Sequence, residues 1–251
     1  MTVSVLRVPA GLCGAPRGQL RQWADGSSVY RPHRMCGRFT LTTPNLDELA
    51  REFGAELDAE IARLYRPRWN VAPTNTHPVL KVEDGVLRLV PARFGVEAPG
   101  GRFVINARSE TAAELRTFRQ AFQSDRCVVP ADGLYEWQGR RGDRRPLWFH
   151  DPAGGLLFFA GLAFKNHDAH AFVILTAPAN DLVSPVHSRM PALLSRDAAR
   201  AWLARPDPTL LASAPSGALA SREVSSLVND VANDRPELLD PPAPKRQLTL
   251  V

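Results

Sequence analysis

The sequence predicts an α+β protein: one domain on a curved, mostly antiparallel, barrel-like β-sheet core flanked by a few helices. Three observations predict it. Short apolar runs of strand length recur through most of the chain. A few helical patterns interrupt them irregularly, without the strand–helix alternation of a parallel sheet. No internal repeat and no convincing linker divides the chain.

The elements follow in order. Phe39-Thr40-Leu41 is a short strand. Thr43-Pro44-Asn45 opens a helix in which Leu46, Leu49, Ala50 and Phe53 recur at helical spacing, and Gly54 supplies a stop. A polar stretch leads to residues 68–74, read as a loop punctuated by Pro67 and Pro73. Val79-Leu80-Lys81-Val82 and Val86-Leu87-Arg88-Leu89-Val90 form a hairpin around Asp84-Gly85, a favoured turn pair. Phe103-Val104-Ile105 is a strand, followed by a helical run through Ala112, Leu115, Phe118 and Phe122. Cys127-Val128-Val129-Pro130 and Leu134-Tyr135-Glu136-Trp137 are strands joined by a turn at Ala131-Asp132-Gly133. Arg140-Arg141-Gly142-Asp143-Arg144-Arg145 is a charged hairpin tip. Strands follow at residues 147–149, 156–160 and 172–176, then a short helical or loop segment at 178–182 and a helix at 197–203. Beyond Pro206 the chain is rich in Pro, Ala and Ser and signals little.

With 251 residues, 44% of them hydrophobic, the chain can bury a sizeable core. No run approaches the length of a membrane span, so no membrane association is expected. Cys13, Cys36 and Cys127 form an odd, sparse set with no CxxC and no His/Cys cluster, which points to a reducing cytoplasm and to no structural zinc. The net charge of +5 invites a nucleic-acid reading, but residues 1–34 carry +4 of it through five arginines and one acid. Any such binding must therefore rest on a local patch. Residues 1–34 lack periodicity and a signal-peptide apolar core. The strong bias to Arg over Lys suggests a GC-rich genome, and the segment reads as a misassigned start or a removed extension. Residues 35–240 would then form the domain and 241–251 a tail.

If Met35 is the initiator and is trimmed, Cys36 becomes the first residue, with a free α-amine beside its thiol. Reference pKa values of about 8 and 8.5 leave both groups usable as nucleophiles near neutral pH. An aldehyde would condense with the amine, and the thiol could close a five-membered ring. The plain alternative is a buried core cysteine. Glu136 sits between two aromatics in an apolar strand: either it faces solvent, or it is a partly desolvated carboxyl suited to proton transfer. His187 is suited to proton transfer by type, although a lone histidine is more often structural. Asn106 fits a helix cap or a substrate-orienting amide, and Arg108 an ion pair or a bidentate phosphate contact. The chain lacks GxGxxG, GxxxxGK[ST], HExxH and GxSxG, and no cofactor is called for.

Six blocks together resemble one family. They are Met35-Cys36-Gly37-Arg38-Phe39, Asn70-Val71-Ala72-Pro73-Thr74, Asn106-Ala107-Arg108-Ser109-Glu110-Thr111, Arg126-Cys127-Val128-Val129-Pro130, Asp132-Gly133-Leu134-Tyr135-Glu136-Trp137 and Val186-His187-Ser188-Arg189-Met190-Pro191. In this order they are similar to the SRAP family, the SOS response-associated peptidases that process abasic sites. The resemblance implies binding of single-stranded DNA at an abasic site and a thiazolidine crosslink to the sugar aldehyde; a monomer is expected. It also implies autoproteolytic release of residues before the cysteine and a lyase side reaction. By motif, Cys36 is the nucleophile, Asn106 positions the site, Glu136 transfers protons and His187 assists imine chemistry. Arg38 and Arg108 hold the phosphates, with Asn70, Phe94, Ser109 and Arg189 as further DNA contacts. Two departures stand out. Residues 1–34 precede the cysteine, and while attached they leave its nitrogen an amide. Many members carry a tryptophan-rich stretch where this chain has Arg93-Phe94-Gly95-Val96-Glu97-Ala98-Pro99-Gly100-Gly101, leaving Phe94 to stack on a base. A cysteine peptidase acting on other proteins and a non-covalent single-strand binding module are the competing readings.

Overall fold

The computed structural model describes residues 37–243 apart from 141, 167 and 168. Cys13, Cys36 and residues 1–34, on which several expectations fall, lie outside the described residues, as do 244–251 of the expected tail. In chain order the elements are β1 (Phe39–Leu41), α1 (Leu46–Phe53), β2 (Glu56–Leu57), α2 (Ala59–Leu64), β3 (Arg68–Val71), β4 (Thr76–Glu83), β5 (Val86–Phe94), β6 (Val96–Ala98), β7 (Arg102–Val104) and β8 (Asn106–Arg108). Then come α3 (Ser109–Ala112), α4 (Arg119–Ser124), β9 (Arg126–Ala131), β10 (Gly133–Gln138), β11 (Arg145–His150), β12 (Leu157–Asn166), β13 (Ala169–Pro178), β14 (Arg189–Pro191), β15 (Leu193–Leu194), α5 (Arg196–Ala204) and β16 (Ala220–Glu223).

Strands β5, β4, β9, β12 and β13 pair in that order, and β13 returns to β5 in parallel, with Ala92 opposite His170 and Phe94 opposite Phe172. This closes a five-stranded barrel. A second sheet runs β16-β11-β10-β1-β3. Alternation along each barrel strand separates two cores. On β4, Leu80 joins a cluster with Leu46, Phe53 and Trp202 from α1 and α5, whereas Val79 joins one with Phe39, Phe94, Phe159 and Phe172. The first cluster lies under the helices. The second fills the barrel and the adjoining face of the second sheet.

Local signals explain several elements. Asn45 caps α1 by accepting the Asp47 amide at 2.8 Å, and Gly54 ends it in the left-handed region at φ 67°. Asp84 and Gly85, at φ 50° and 78°, make the β4–β5 turn. The helical run at 112–122 divides into α3 and α4.

Other regions differ from expectation. Residues 68–71 form strand β3, not a loop, with Phe39 opposite Val71. Pro67 and Pro73 bracket the strand without interrupting it. The polar stretch before it holds β2 and α2, the latter capped by Asp58 with only Ile61 buried. The weakly signalled C-terminal portion is packed as well. Val224, Val228 and Leu238 cover fully buried Tyr135. No helix among the described residues is long and apolar enough to cross a membrane.

Candidate functional site

The first group of candidate residues gathers where β1 meets β10. The pairing sets Phe39 opposite Leu134 and Thr40 opposite Gly133, and Tyr135 N–H donates to Arg38 O at 3.0 Å. Glu136 follows two residues beyond Leu134 on β10, as Gly37 precedes Phe39 by two on the approach to β1. Glu136 is buried, with 7% of its surface exposed. It shares a strand face with Leu134, which belongs to the barrel-filling cluster, while Tyr135 and Trp137 face the C-terminal segment. The solvent-facing alternative for Glu136 is thereby set aside.

Arg38 and Asn70, expected to meet DNA, are both buried, at 5% and 0% exposure. Arg38 donates through Nη1 to Asn70 Oδ1 (2.5 Å) and Val228 O (2.9 Å), and through Nη2 to Asn229 O (3.3 Å). Asn70 Nδ2 donates to Asp230 O (3.1 Å) and Asn233 O (2.7 Å). Here the pair anchors the C-terminal segment beside β1, because that segment's carbonyls would otherwise be buried unpaired. Asp234 completes the clamp by accepting the Trp69 and Asn70 amides at 2.7 and 3.1 Å and pairing with Arg68. Asp234 drew no notice in the sequence, since nothing local marks a partner so far along the chain.

The second group gathers at the end of β13. Asn106 on β8 lies opposite Ile174, and Arg108 opposite Thr176. Asn106 does not cap the following helix. Arg108 occupies the cap position of α3 without a side-chain cap bond and is exposed. Ser109 is largely buried, and its hydroxyl donates to Glu110 Oε2 at 3.4 Å. Arg189, another expected DNA contact, makes a bidentate pair with Glu110 through Nη1 and Nη2, the latter bond 2.7 Å long, and also donates to Thr176. Its fork is thus occupied within the protein. The Arg189 hydrogen bonds hold the Glu110 carboxyl down at about 2.

The Arg189 amide donates to His187 Nδ1 at 3.1 Å. That bond places the neutral ring's proton on Nε2. Partial burial lowers the His187 pKa below its ordinary 6.5. Asn180, which sequence reasoning passed over, shapes the turn before it. Its Oδ1 accepts the Val183 amide at 3.0 Å, and its Nδ2 donates to Ala214 O at 3.2 Å.

Phe94 is not available for base stacking. It is fully buried, with its ring stacked on Phe172 at a centroid separation of 5.0 Å. The shortened segment after it forms the β6–β7 hairpin, with Gly100 and Gly101 at the tip.

The two groups border one apolar cluster. Phe39, Ile105, Leu134 and Val186, each next to a candidate residue or sharing its strand face, all pack into the barrel-filling core. The fold and these residues define a barrel protein with a buried carboxyl on β10 and an imidazole of lowered pKa just before β14. The chain belongs to the family described as SOS response associated peptidase (SRAP), whose model matches residues 35–231. It is 32% identical over 226 residues to the abasic site processing protein YoqW of Bacillus subtilis (strain 168), covering 82% of this chain and 99% of that one. It is 33% identical over 223 residues to the abasic site processing protein YedK of Escherichia coli (strain K12), covering 82% and 100%. Against the abasic site processing protein HMCES of Gallus gallus it is 31% identical over 224 residues, covering 70% and 67%. Among solved structures it matches a protein from Bacteroides thetaiotaomicron at TM-score 0.69 and 19% identity, covering 82% of this chain and 99% of that one, a likeness of fold. A phage-related protein from Bordetella bronchiseptica matches at TM-score 0.62 and 28% identity, covering 75% and 94%.

Proposed function

We propose that this protein processes abasic sites in single-stranded DNA by forming a covalent thiazolidine crosslink through Cys36. The observation that supports this reading is the buried carboxyl of Glu136 on β10, the strand paired with β1, which begins three residues after Cys36 in the sequence. The α-amine of Cys36 adds to the aldehyde carbon of the ring-opened sugar, and loss of water gives an imine. The thiol then adds to the imine carbon, its proton passes to the nitrogen, and the ring closes with one water released overall. Glu136 carries the protons between nitrogen, sulfur and the departing oxygen. His187, with its proton on Nε2, donates during imine formation and ring opening. Asn106 orients the sugar, and exposed Arg108 holds a neighbouring phosphate. The imine also permits β-elimination, a lyase side reaction. Peptide cleavage before Cys36 frees the amine on which the whole sequence depends. The protein acts as a monomer.

The test is to incubate protein beginning at Cys36 with a single-stranded oligonucleotide bearing one abasic site. A shifted band that survives denaturation is expected. Cys36→Ala abolishes it, and Glu136→Ala or His187→Ala slows its appearance. Absence of the band for the Cys36 form overturns the reading, and equal affinity for intact and abasic DNA without a covalent product selects a binding module instead.

A further inference from the structure

We infer that Glu110 is a positioning residue for His187, acting through the bidentate pair it makes with Arg189. This rests on the abasic-site reading above and deepens it, since the carboxylate serves the proton donor at one remove. Neither the aminothiol chemistry nor a phosphate contact calls for an acid here, two residues past Arg108. An unbalanced carboxylate would repel a phosphate held beside it, so its place there needs a reason in the fold.

The pair is a staple across three strands. Thr176 on β13 lies opposite Arg108 of β8 on one edge and opposite Pro191 of β14 on the other. Arg189 starts β14, opposite Pro178, and its guanidinium reaches back across β13. Nη2 donates to Thr176 O, to Thr176 Oγ1 at 3.3 Å and to Glu110 Oε2 at 2.7 Å, while Nη1 donates to Glu110 Oε1. Glu110 lies in the first turn of α3, just past β8. One guanidinium therefore ties the segment that carries Asn106 and Arg108 to the segment that carries His187.

His187 depends on that tie. The chain is buried at Val183 and again at Met190, and the residues between are exposed or only partly buried. The backbone is held from behind, where the His187 amide donates to Val183 O at 3.0 Å. The ring is held from ahead, where the Arg189 amide donates to Nδ1 at 3.1 Å. That amide moves with the Arg189 backbone, so the bond that keeps the ring proton on Nε2 lasts only while Arg189 stays in place. A bidentate carboxylate fixes a guanidinium in plane and distance, which a single contact does not. Held at about 2, the Glu110 carboxyl stays ionised as the partner of that fork near neutral pH.

The experiment is a double-mutant cycle on protein beginning at Cys36. Wild type, Glu110→Ala, His187→Ala and the double variant are each timed in crosslinking to a single-stranded abasic oligonucleotide. Glu110→Ala should slow the reaction by roughly ten- to a hundredfold, the scale of a misplaced catalytic group. In the His187→Ala background the same change should cost less than about twofold, because the group it acts through is gone. Glu110→Gln keeps the side-chain shape and one acceptor, so it should fall between wild type and Glu110→Ala, and it stands in if the Ala variant does not fold. Nitrogen NMR of the full chain supplies a readout without DNA. The His187 ring signals, assigned by their absence from His187→Ala, should show the Nε2–H tautomer in wild type and a mixture of tautomers in the Glu110 variants. Equal slowing in both backgrounds, or no slowing at all, overturns the inference. If wild type makes no crosslink, the abasic reading falls, and the ring signals decide the positioning: an unchanged tautomer in both Glu110 variants overturns it.

Discussion

Phe94 sits at the seam where the barrel closes, and its ring also meets Phe39 edge-on at 5.5 Å. Truncating so buried a ring leaves a cavity, so Phe94→Ala should lower stability by about 3–5 kcal/mol in a denaturant melt. The DNA affinity of the folded fraction should not change. A loss of affinity without a loss of stability would return Phe94 to the DNA interface. Arg189 and Arg38 follow the same logic: Arg38 was expected at a phosphate and Arg189 at the DNA, and each spends its fork inside the protein. The residue type was legible in the sequence, but its partner was not, because Glu110 is 79 positions from Arg189 and Val228 is 190 from Arg38. Glu136 was legible down to its alternatives, since period-2 alternation put it opposite the aromatics, and only packing could say that both faces of the strand are buried.

At the scale of elements, the passage from β9 to β10 carries the chain out of the barrel into the second sheet. Asp132 makes the corner: its amide donates to Thr40 O at 2.9 Å, and its carboxylate accepts the Thr42 amide and hydroxyl at 2.5 and 2.6 Å. Gly133 lets the sheet close over the corner, because a Cβ there would lie 2.1 Å from Trp148 Nε1. Gly133→Ala should therefore destabilise by about 1–3 kcal/mol, the usual cost of overpacking. It should also slow crosslinking by disturbing the pairing of Thr40 with Gly133 that fixes β10, and with it Glu136, against β1. An unshifted melting curve would show that Trp148 yields freely. The β4–β5 hairpin, α1 and α5 were readable because cap and turn chemistry is local. β3 was not, because its backbone amides pair with Asp234, more than 160 positions away. The Pro-rich C-terminal segment hid a packed layer for the same reason.

For the whole molecule, the barrel interior fixes the response to acid. His77 is fully buried, its Nε2–H donates to Pro130 O at 2.8 Å, and burial drives its pKa from 6.5 to about 3. Below pH 6.5 the unfolded chain takes up a proton there and the folded chain does not. Its contribution is therefore intact above pH 6.5 and is lost as pH falls toward 3, a span on the order of 5 kcal/mol. Glu110, held at about 2, adds a further loss as pH falls below its ordinary 4.5. Urea melts from pH 7 down to 4 should show falling stability, with a flatter fall in His77→Phe. An equal fall in that variant would place the sensitivity elsewhere.

By itself the sequence determined the class of fold, the local caps and turns, and the chemistry an aminothiol at Cys36 can perform, because these depend on neighbours along the chain. Only the tertiary structure decided which arginines face outward and which are spent within, that residues 68–71 form a strand, and that Phe94 closes a core. Those outcomes follow from contacts between distant segments, where burial makes every polar group find a partner that no local pattern names.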